Sequence, residues 1–244
     1  MSARSTGATA GRVLRQLRRD RRTLALVIVV PPALLTLLRY VLDGQPQAFD
    51  RVGGPLVGIF PFVSMFLVTS IAMLRERTTG TLERLMSMPL AKLDLLLGYG
   101  VAFALVATAQ AIVTATVGFG LLGLEIAGPM WLVVLLAVAN ALLGMALGLF
   151  LSAFATTEFQ AVQFMPAFVL PQLLLSGLFT PRERMAGVLE AISEALPMTY
   201  AYDALAAAVR DDVGGGLAVD AAVVAGCIAL ALVLGATTLR RRTA

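Results

Sequence analysis

Residues 130–154 have the sequence MWLVVLLAVANALLGMALGLFLSAF, which contains no charged side chain. An α-helix needs about 20 mostly apolar residues to cross the hydrocarbon core of a bilayer, so this stretch is long enough to span a membrane. The strands of a membrane barrel would require apolar and polar residues to alternate, but the apolar residues of this stretch are continuous. The stretch therefore predicts a membrane-spanning α-helix.

Further apolar blocks of similar length surround this one, and prolines inside them are expected to act as kinks. These blocks lie at residues 23–42, 55–74, 95–121, 161–180 and 218–239. Only 14% of the 244 residues are charged, whereas a soluble domain has about 25%. We predict an all-α integral membrane protein, with a basic segment at 1–22, a six-helix transmembrane domain at 23–239 and a basic tail at 240–244.

The basic residues predict the orientation of these spans. Fourteen of the 19 Lys and Arg residues lie before the first span, in the 75–94 loop or in the tail. Because basic residues concentrate on the cytoplasmic side, both termini are expected there. The first block is longer than the apolar part of a secretory signal peptide, and no Ala-x-Ala follows it directly. We therefore expect an uncleaved, multi-pass protein of a bacterial cytoplasmic (inner) membrane.

Residue types missing from the sequence exclude several kinds of chemistry. There is no histidine and only one cysteine, Cys227, so no metal centre, disulfide or histidine-based catalysis is expected. The one lysine, Lys92, is followed by Leu93, whereas a phosphate-binding P-loop requires Gly-Lys-Ser/Thr. The chain is therefore not expected to be an enzyme or to bind a cofactor. No charged residue lies in the middle of a span, which disfavours ion-coupled transport.

The N-terminal segment GRVLRQLRRDRR, residues 11–22, predicts a short basic helix with Val13, Leu14 and Leu17 on one side. Anionic lipid headgroups attract such a helix by about 1 kcal/mol per basic residue. Alternatively, it is an elbow helix that also contacts a cytoplasmic protein partner, and the two interpretations are compatible. Nucleic-acid binding is not expected, because the segment is tethered directly to a span.

The loop RERTTGTLERLMSMPLAKLD, residues 75–94, predicts a second short helix on the cytoplasmic side. Thr78-Thr79-Gly80 should end the incoming helix, and Pro89 should end the amphipathic run that follows. Exposed Leu and Met residues on one face are what docking into another protein requires. The alternative is an interfacial helix that rests on lipid.

The outer segment, residues 181–217, is expected to form two short helices separated by Pro197 that dip into the outer interface or re-enter it. The first carries an apolar stripe at helical spacing. Its members are Met185, Val188, Leu189, Ile192 and Leu196. A close-packing motif, Gly144-x-x-x-Gly148-x-x-x-Ser152, marks a face of the fourth span. Sequence alone does not show whether that face packs within the subunit or between subunits.

Two stretches of the chain resemble signatures of the type-2 ABC exporter permeases. The first is Glu76-Arg77-Thr78-Thr79-Gly80-Thr81-Leu82-Glu83 followed by Pro89. The second is Leu175-Ser176-Gly177-Leu178-Phe179-Thr180-Pro181 leading to Leu196-Pro197-Met198-Thr199-Tyr200-Ala201-Tyr202-Asp203-Ala204-Leu205. The span order and cytoplasmic termini agree, so the resemblance covers essentially the whole chain. The chain is most similar in kind to daunorubicin-resistance permeases, which lack a large outer domain.

The resemblance implies that two permeases pair around a central path, as copies of one chain or with a sister chain, and that two separate P-loop ATPase subunits bind ATP and Mg below them. It implies a coupling helix that receives ATPase movement, with Glu76, Arg77, Gly80, Thr81, Leu82, Glu83, Leu85, Met86 and Pro89. It implies an elbow helix with Arg15, Leu17, Arg18 and Arg22, in contact with the ATPase and with membrane lipids. It implies outer gate helices with Met185, Leu189, Ile192, Pro197, Tyr200, Tyr202 and Asp203.

The span interiors contain only mildly polar and aromatic side chains, which suit an amphiphilic substrate. The candidate path residues are Phe62, Phe66, Gln163, Phe168 and Gln172. Ordinary helix packing is the alternative role for each of them. The expected function is export of a drug or antibiotic-like or lipid-like compound. The alternatives are a permease for lipid or lipid-linked glycan export and, from another class, an ion-coupled secondary transporter.

Overall fold

The computed structural model of this protein describes residues 3–81, 84 and 92–238, and every regular element in these ranges is helical. The α-helices are α1 (Ala3–Arg19), α2 (Arg21–Val41), α3 (Pro46–Thr78), α4 (Lys92–Ala115), α5 (Met130–Leu151), α6 (Glu158–Phe164), α7 (Leu170–Leu175), α8 (Gly187–Glu194), α9 (Pro197–Val209) and α10 (Gly215–Thr238). Five of the helical segments are long and apolar enough to cross a membrane, namely α2, α3, α4 with the π turn Thr116–Leu121, α5 with the 3₁₀ turn Ser152–Phe154, and α10. The expectation of an all-α integral membrane protein is confirmed.

The fifth predicted block is helical but interrupted. Helix α6 continues into a π turn at Met165–Val169 and then into α7. Pro166 and Pro171 explain the interruption, because proline has no N–H for the helical ladder and its ring collides with the preceding turn. That this segment crosses the membrane stays a prediction.

Helix α3 begins earlier than its apolar block. Only residues 42–45 separate it from α2, where the sequence suggested about a dozen. Pro46 occupies the start of the helix, a position where its fixed φ and missing N–H carry no cost. Gly53 and Gly54 in this added part lie directly against Leu124 and Val209, so it is packed and not a free loop.

The centre of the molecule is the pair α3 and α5. A Cβ atom on Gly144 or Gly148 would collide with the backbone carbonyl oxygens of Phe62 and Phe66, respectively. Ser152, the last member of the motif, is buried and donates to the Leu149 carbonyl at 2.6 Å. The close-packing motif therefore works inside the subunit, where small residues let two helices approach closely.

Candidate coupling face and outer gate

The last turn of α3 carries three consecutive charged residues that point to three different parts of the chain. Arg75 Nε donates to Glu158 Oε1 of α6 at 2.7 Å. Glu76 accepts from Arg12 of α1, and Arg77 Nη2 donates to Thr238 Oγ1 of α10 at 3.4 Å. Successive residues of a helix point about 100° apart, which is why one turn contacts three neighbours. This one turn of α3 therefore contacts α1, α6 and α10 together.

Glu76 is the most enclosed of the three, and its side chain is only 5% exposed. Arg12 Nη1 and Nη2 donate to its two oxygens at 2.8 Å and 3.3 Å, and Nη2 also donates to the hydroxyl of Tyr99 at 3.0 Å. This bidentate geometry is the strongest form of the arginine–carboxylate pair. The cluster holds α1, α3 and α4 together at one end of the molecule.

Sequence reasoning did not single out Arg12 or Tyr99 as site residues. Arg12 is one arginine among seven in the first 22 residues, and nothing in the pattern distinguishes it. Tyr99 reads as one more aromatic residue near the start of a span. What selects them is the packing of α1 on α4, where Thr9 of α1 lies directly against Gly98.

Arg75 and Glu158 form a more exposed pair, with both side chains slightly more than half exposed. The hydrogen bond from Arg75 lowers the pKa of Glu158. Arg77 is more enclosed, and its Nε finds no acceptor in the described part of the chain. The predicted coupling residues Glu76 and Arg77 thus contact other helices of the same chain, Glu76 through Arg12 and Arg77 through Thr238.

The helix break after α3 is confirmed. Thr79 caps the helix, and its N–H and hydroxyl both donate to the Arg75 carbonyl, at 2.9 Å and 2.7 Å. Gly80 follows with a φ of +71°, a left-handed conformation that glycine adopts without strain. Thr81 lies next to this turn, with its hydroxyl 3.0 Å from that of Thr79. The remaining predicted coupling residues, Leu82, Glu83, Leu85, Met86 and Pro89, lie outside the described residues, so the coupling helix stays a prediction.

The predicted elbow residues belong to α1 and the start of α2. Leu17 is buried together with Val13 against α4, whereas Arg15, Arg18 and Arg22 are exposed. Arg15 Nε donates to the Gly11 carbonyl at 3.0 Å. The helix thus turns an apolar face to the core and a basic face outward. Contact with an ATPase stays a prediction.

The outer segment folds back onto the first half of α3. Leu205 and Val209 of α9 lie against Gly58 and Gly54, and the Val209 carbonyl accepts from the N–H of Ala127 at 2.9 Å. Helix α9 is therefore packed into the bundle and does not merely rest on its surface. Its small residues at 204, 206, 207 and 208 are all buried alanines.

An ion pair joins the start of this outer segment to α9. Arg182 Nη2, in the short 3₁₀ turn before α8, donates to Asp203 Oδ2 of α9 at 2.6 Å, and both side chains are just over a quarter exposed. Burial raises the pKa of Asp203 to about 6, against the lowering effect of Arg182. Tyr202 lies beside Gly177, which has a φ of +99°. Sequence reasoning selected Tyr202 and Asp203 but missed Arg182.

The other predicted gate residues occupy varied positions. Pro197 starts α9, and the hydroxyl of Tyr200 donates to the Glu194 carbonyl at 2.7 Å. Leu189 and Ile192 lie on an exposed face of α8. Met185 precedes that helix, which starts at Gly187, so the apolar stripe is shorter than its spacing suggested. A gating role stays a prediction.

The candidate path residues do not share one surface. Phe62, Phe66 and Gln172 are buried in the chain's own core, and Gln172 Nε2 donates to the Phe168 carbonyl at 3.1 Å. Gln163 and Phe168 instead face outward from α6 and the π turn. Only these two are placed to contact a molecule outside this chain.

The geometry agrees with what comparison with known proteins finds. A family model described as "ABC-2 type transporter" matches residues 5–209, most of the chain. The chain belongs to the ABC-2 type transporter family. The match extends from α1 to the end of α9 and includes both the turn after α3 and the outer pair of helices.

Two relatives place the chain within this ABC-2 family. It is 30% identical over 148 residues to the "Probable multidrug ABC transporter permease YbhR" of Escherichia coli K12, covering 61% of this chain and 40% of that protein. It is 26% identical over 164 residues to the "ABC transporter G family member 20" of Dictyostelium discoideum, covering 66% of this chain and 22% of that protein. The aligned region therefore spans less than half the length of these relatives. The chain is an ABC-2 permease with several membrane-spanning helices, and permeases of this family work with an ATPase subunit.

Proposed function

We propose that this chain is the membrane-spanning permease subunit of an ATP-driven exporter in a bacterial cytoplasmic membrane. Its substrate is an amphiphilic compound, drug-like or lipid-like, which is moved out of the cell. A separate P-loop ATPase, in two copies, binds ATP and Mg and performs the hydrolysis. The E. coli relative is named as a probable multidrug permease, which supports a drug-like substrate.

The observation that carries the proposal is the last turn of α3. A permease that does no chemistry of its own has to convert a push on its cytoplasmic side into movement of its helices. The turn at Arg75–Arg77 contacts α1, α6 and α10 through side chains and leads directly into Gly80. A displacement of the segment after Gly80 is therefore passed to three elements together, and ATP binding shifts the balance between closed and open states.

The exit of substrate requires an outer closure that can open. In this proposal helices α8 and α9 form the outer closure. The ion pair between Arg182 and Asp203, at 2.6 Å, holds it shut. The outward-facing Gln163 and Phe168 lie on a segment whose helix is already interrupted. A second permease, either a copy of this chain or a sister chain, completes the path on that side.

Affinity purification from native membranes in mild detergent tests the assembly. We expect a P-loop ATPase to co-purify in equal amount with the permease. Recovery of the chain alone, still transporting under a proton or sodium gradient without ATP, would overturn the proposal in favour of an ion-coupled transporter.

Substrate-stimulated ATP hydrolysis by the purified complex tests the coupling. We expect Gly80→Pro and Glu83→Ala to reduce stimulation at least tenfold, about 1.4 kcal/mol of coupling, while the ATPase still co-purifies. Glu125→Ala, which changes an exposed glutamate in the loop before α5, is the matched control and keeps stimulation. Normal stimulation in both cytoplasmic variants, with normal assembly, would show that this segment does not couple.

The same assay separates the two kinds of substrate. A panel of amphiphilic drugs and a panel of phospholipids and lipid-linked glycans are added in turn to the complex in vesicles. Stimulation by the drugs alone supports drug export. Stimulation by the lipids or glycans alone contradicts a drug-like substrate.

A further inference from the structure

One face of α1 forms a hollow lined by basic side chains. Arg12, Arg15, Gln16 and Arg19 recur at helical spacing and enclose about 410 Å³. The opposite face of α1 is buried on α4, so this stripe is turned away from the core. Arg12 is engaged by Glu76, but Arg15 and Arg19 form no ion pair within the described part of the chain.

An apolar groove begins beside this hollow and runs between α2 and α3. It has a volume of about 450 Å³, and its walls are mainly Leu26, Val30, Leu34, Val63, Leu67 and Ile71. From Thr23 to Leu34 the groove extends about 17 Å along α2, at about 1.5 Å per residue. That is about half of a hydrocarbon core about 30 Å thick, so the groove is as long as one leaflet is deep.

The polar residues that line the groove lie at the end next to the hollow, and Ser64 is the exception. Ser64 lies in the wall, where its hydroxyl already accepts from Gln110 Nε2 at 3.0 Å. At the polar end, Asp20 accepts from the N–H and hydroxyl of Thr23, and Arg75 is paired with Glu158. Gln16 lines both spaces, so the hollow and the groove lie next to each other at this residue. Asp20 keeps one negative charge at this end, because its Thr23 donors are neutral, whereas Arg15 and Arg19 bring two positive charges, so the net charge at the junction is positive.

An apolar channel of one-leaflet length next to two guanidinium groups that form no ion pair among the described residues is complementary to an anionic amphiphile. Guanidinium groups bind phosphate oxygens through paired, charge-assisted hydrogen bonds. The channel lies along the membrane-spanning part of α2, where a lipid chain is available and a soluble protein is not.

We infer that the hollow and the groove form a binding site for one anionic phospholipid. Its phosphate lies at Arg15 and Arg19, and one acyl chain lies between α2 and α3. The bound lipid fills the space between α1, α2 and α3 and so supports the position of the Arg12–Glu76 pair. The cytoplasmic leaflet as its source rests on the proposed orientation. The site itself requires neither ATP coupling nor a particular substrate.

Phospholipid retained by the purified full-length permease tests the inference. The protein is exchanged through vesicles of equal phosphatidylglycerol and phosphatidylcholine, and tightly bound phospholipid is counted by mass spectrometry. We expect wild type to retain about one phosphatidylglycerol. In Arg15→Gln/Arg19→Gln its apparent affinity should fall about 10- to 30-fold, from about 1 kcal/mol per basic residue.

Matched variants separate a defined site from general surface attraction. Arg4→Gln/Arg21→Gln removes the same charge from exposed arginines outside both spaces and should retain the lipid. Val30→Trp fills the groove and should lose it, whereas Val29→Trp, on an exposed neighbouring face, should not.

Three outcomes would overturn the inference. Equal losses in the two arginine double variants would mean diffuse attraction to anionic membranes. Unchanged retention in Arg15→Gln/Arg19→Gln would mean that these side chains do not hold the phosphate, and loss of a co-purifying ATPase in the same variant would assign the stripe to a protein partner. Release of the phosphatidylglycerol during ATP turnover by the complex would make it a transported molecule and not a resident one.

Discussion

Glu76 places a carboxylate at the end of an apolar helix, and within the described residues Arg12 forms its ion pair. Removing one partner of a fully buried ion pair costs about 3–5 kcal/mol, because the other charge stays uncompensated. Arg12 is 30% exposed and can regain water. We therefore expect Glu76→Ala to reduce the free energy of unfolding by about 1–3 kcal/mol. Thermal unfolding of the purified protein in detergent measures the change.

Two further variants help to interpret the effect of Glu76→Ala on stability. Tyr99→Phe removes one acceptor of Arg12 and should cost about 1 kcal/mol. Glu125→Ala removes an exposed glutamate as the matched control and should change stability by less than about 0.5 kcal/mol. If Glu76→Ala were no more destabilising than Glu125→Ala, the pair would not hold α1 to α3.

At the scale of elements, the contact between α3 and α5 depends on the absence of side chains. A methyl group on Gly144 would meet the backbone of Phe62, which cannot move aside as a flexible side chain can. Overpacking of this kind costs about 1–3 kcal/mol, so Gly144→Ala should lower the unfolding midpoint. Gly226→Ala, in α10 with open space around it, is the control and should be neutral or stabilise by up to about 1 kcal/mol. Equal stability of the two variants would contradict the close contact.

Burial of Asp203, which pairs with Arg182 of the outer 3₁₀ turn, predicts that the stability of the protein depends on pH. The pKa of Asp203 is raised by burial from 3.8 to about 6, so the folded protein binds this proton more tightly than the unfolded chain. The resulting stabilisation is complete below about pH 4 and is lost as the pH rises through about 6. We expect the unfolding free energy of wild type, relative to Asp203→Asn, to decrease between pH 4 and pH 7.

Thermal unfolding of both proteins across this pH range measures the difference. Asp212→Asn, which changes an exposed aspartate, is the matched control. Arg182→Gln removes the lowering influence on the pKa and should move the transition to higher pH. A constant difference between wild type and Asp203→Asn would show that Asp203 is not perturbed by its surroundings.

For the whole molecule, the basic residues predict that α1 and α8 lie on opposite sides of the membrane. Gly7 of α1 and Gly187 of α8 both have open space around their Cα atoms, so each accepts a cysteine. In a Cys227→Ser background, a membrane-impermeant maleimide should label Gly187→Cys in intact cells. It should label Gly7→Cys only after the membrane is opened. The reverse pattern would overturn the proposed orientation.

Composition and hydropathy were sufficient for the fold class because lipid imposes few solutions. A chain crossing a bilayer has to satisfy its backbone hydrogen bonds internally, and long apolar blocks then become helices. The interruption at 165–169 and the early start of α3 were harder to predict. Both depend on how prolines and glycines meet neighbouring helices, and hydropathy does not record those contacts.

The candidate site was only partly visible in the sequence. The break at Gly80 followed from local preferences, since glycine accepts a positive φ. Arg12, Tyr99 and Arg182 were missed because their partners lie 64, 87 and 21 residues away along the chain. Contacts between residues so far apart in the sequence depend on how the helices pack against one another.

The sequence by itself determined that this is a helical membrane protein and that it carries the ABC-2 signatures. Those conclusions rest on residue type and local order, which lipid solvation and motif spacing translate directly. Only the tertiary structure decided that Glu76 is held by Arg12, that Phe62 and Phe66 lie in the core, and that an apolar groove lies beside an arginine-lined hollow. Each of these depends on which helix faces meet, and that is determined by close packing of many side chains at once.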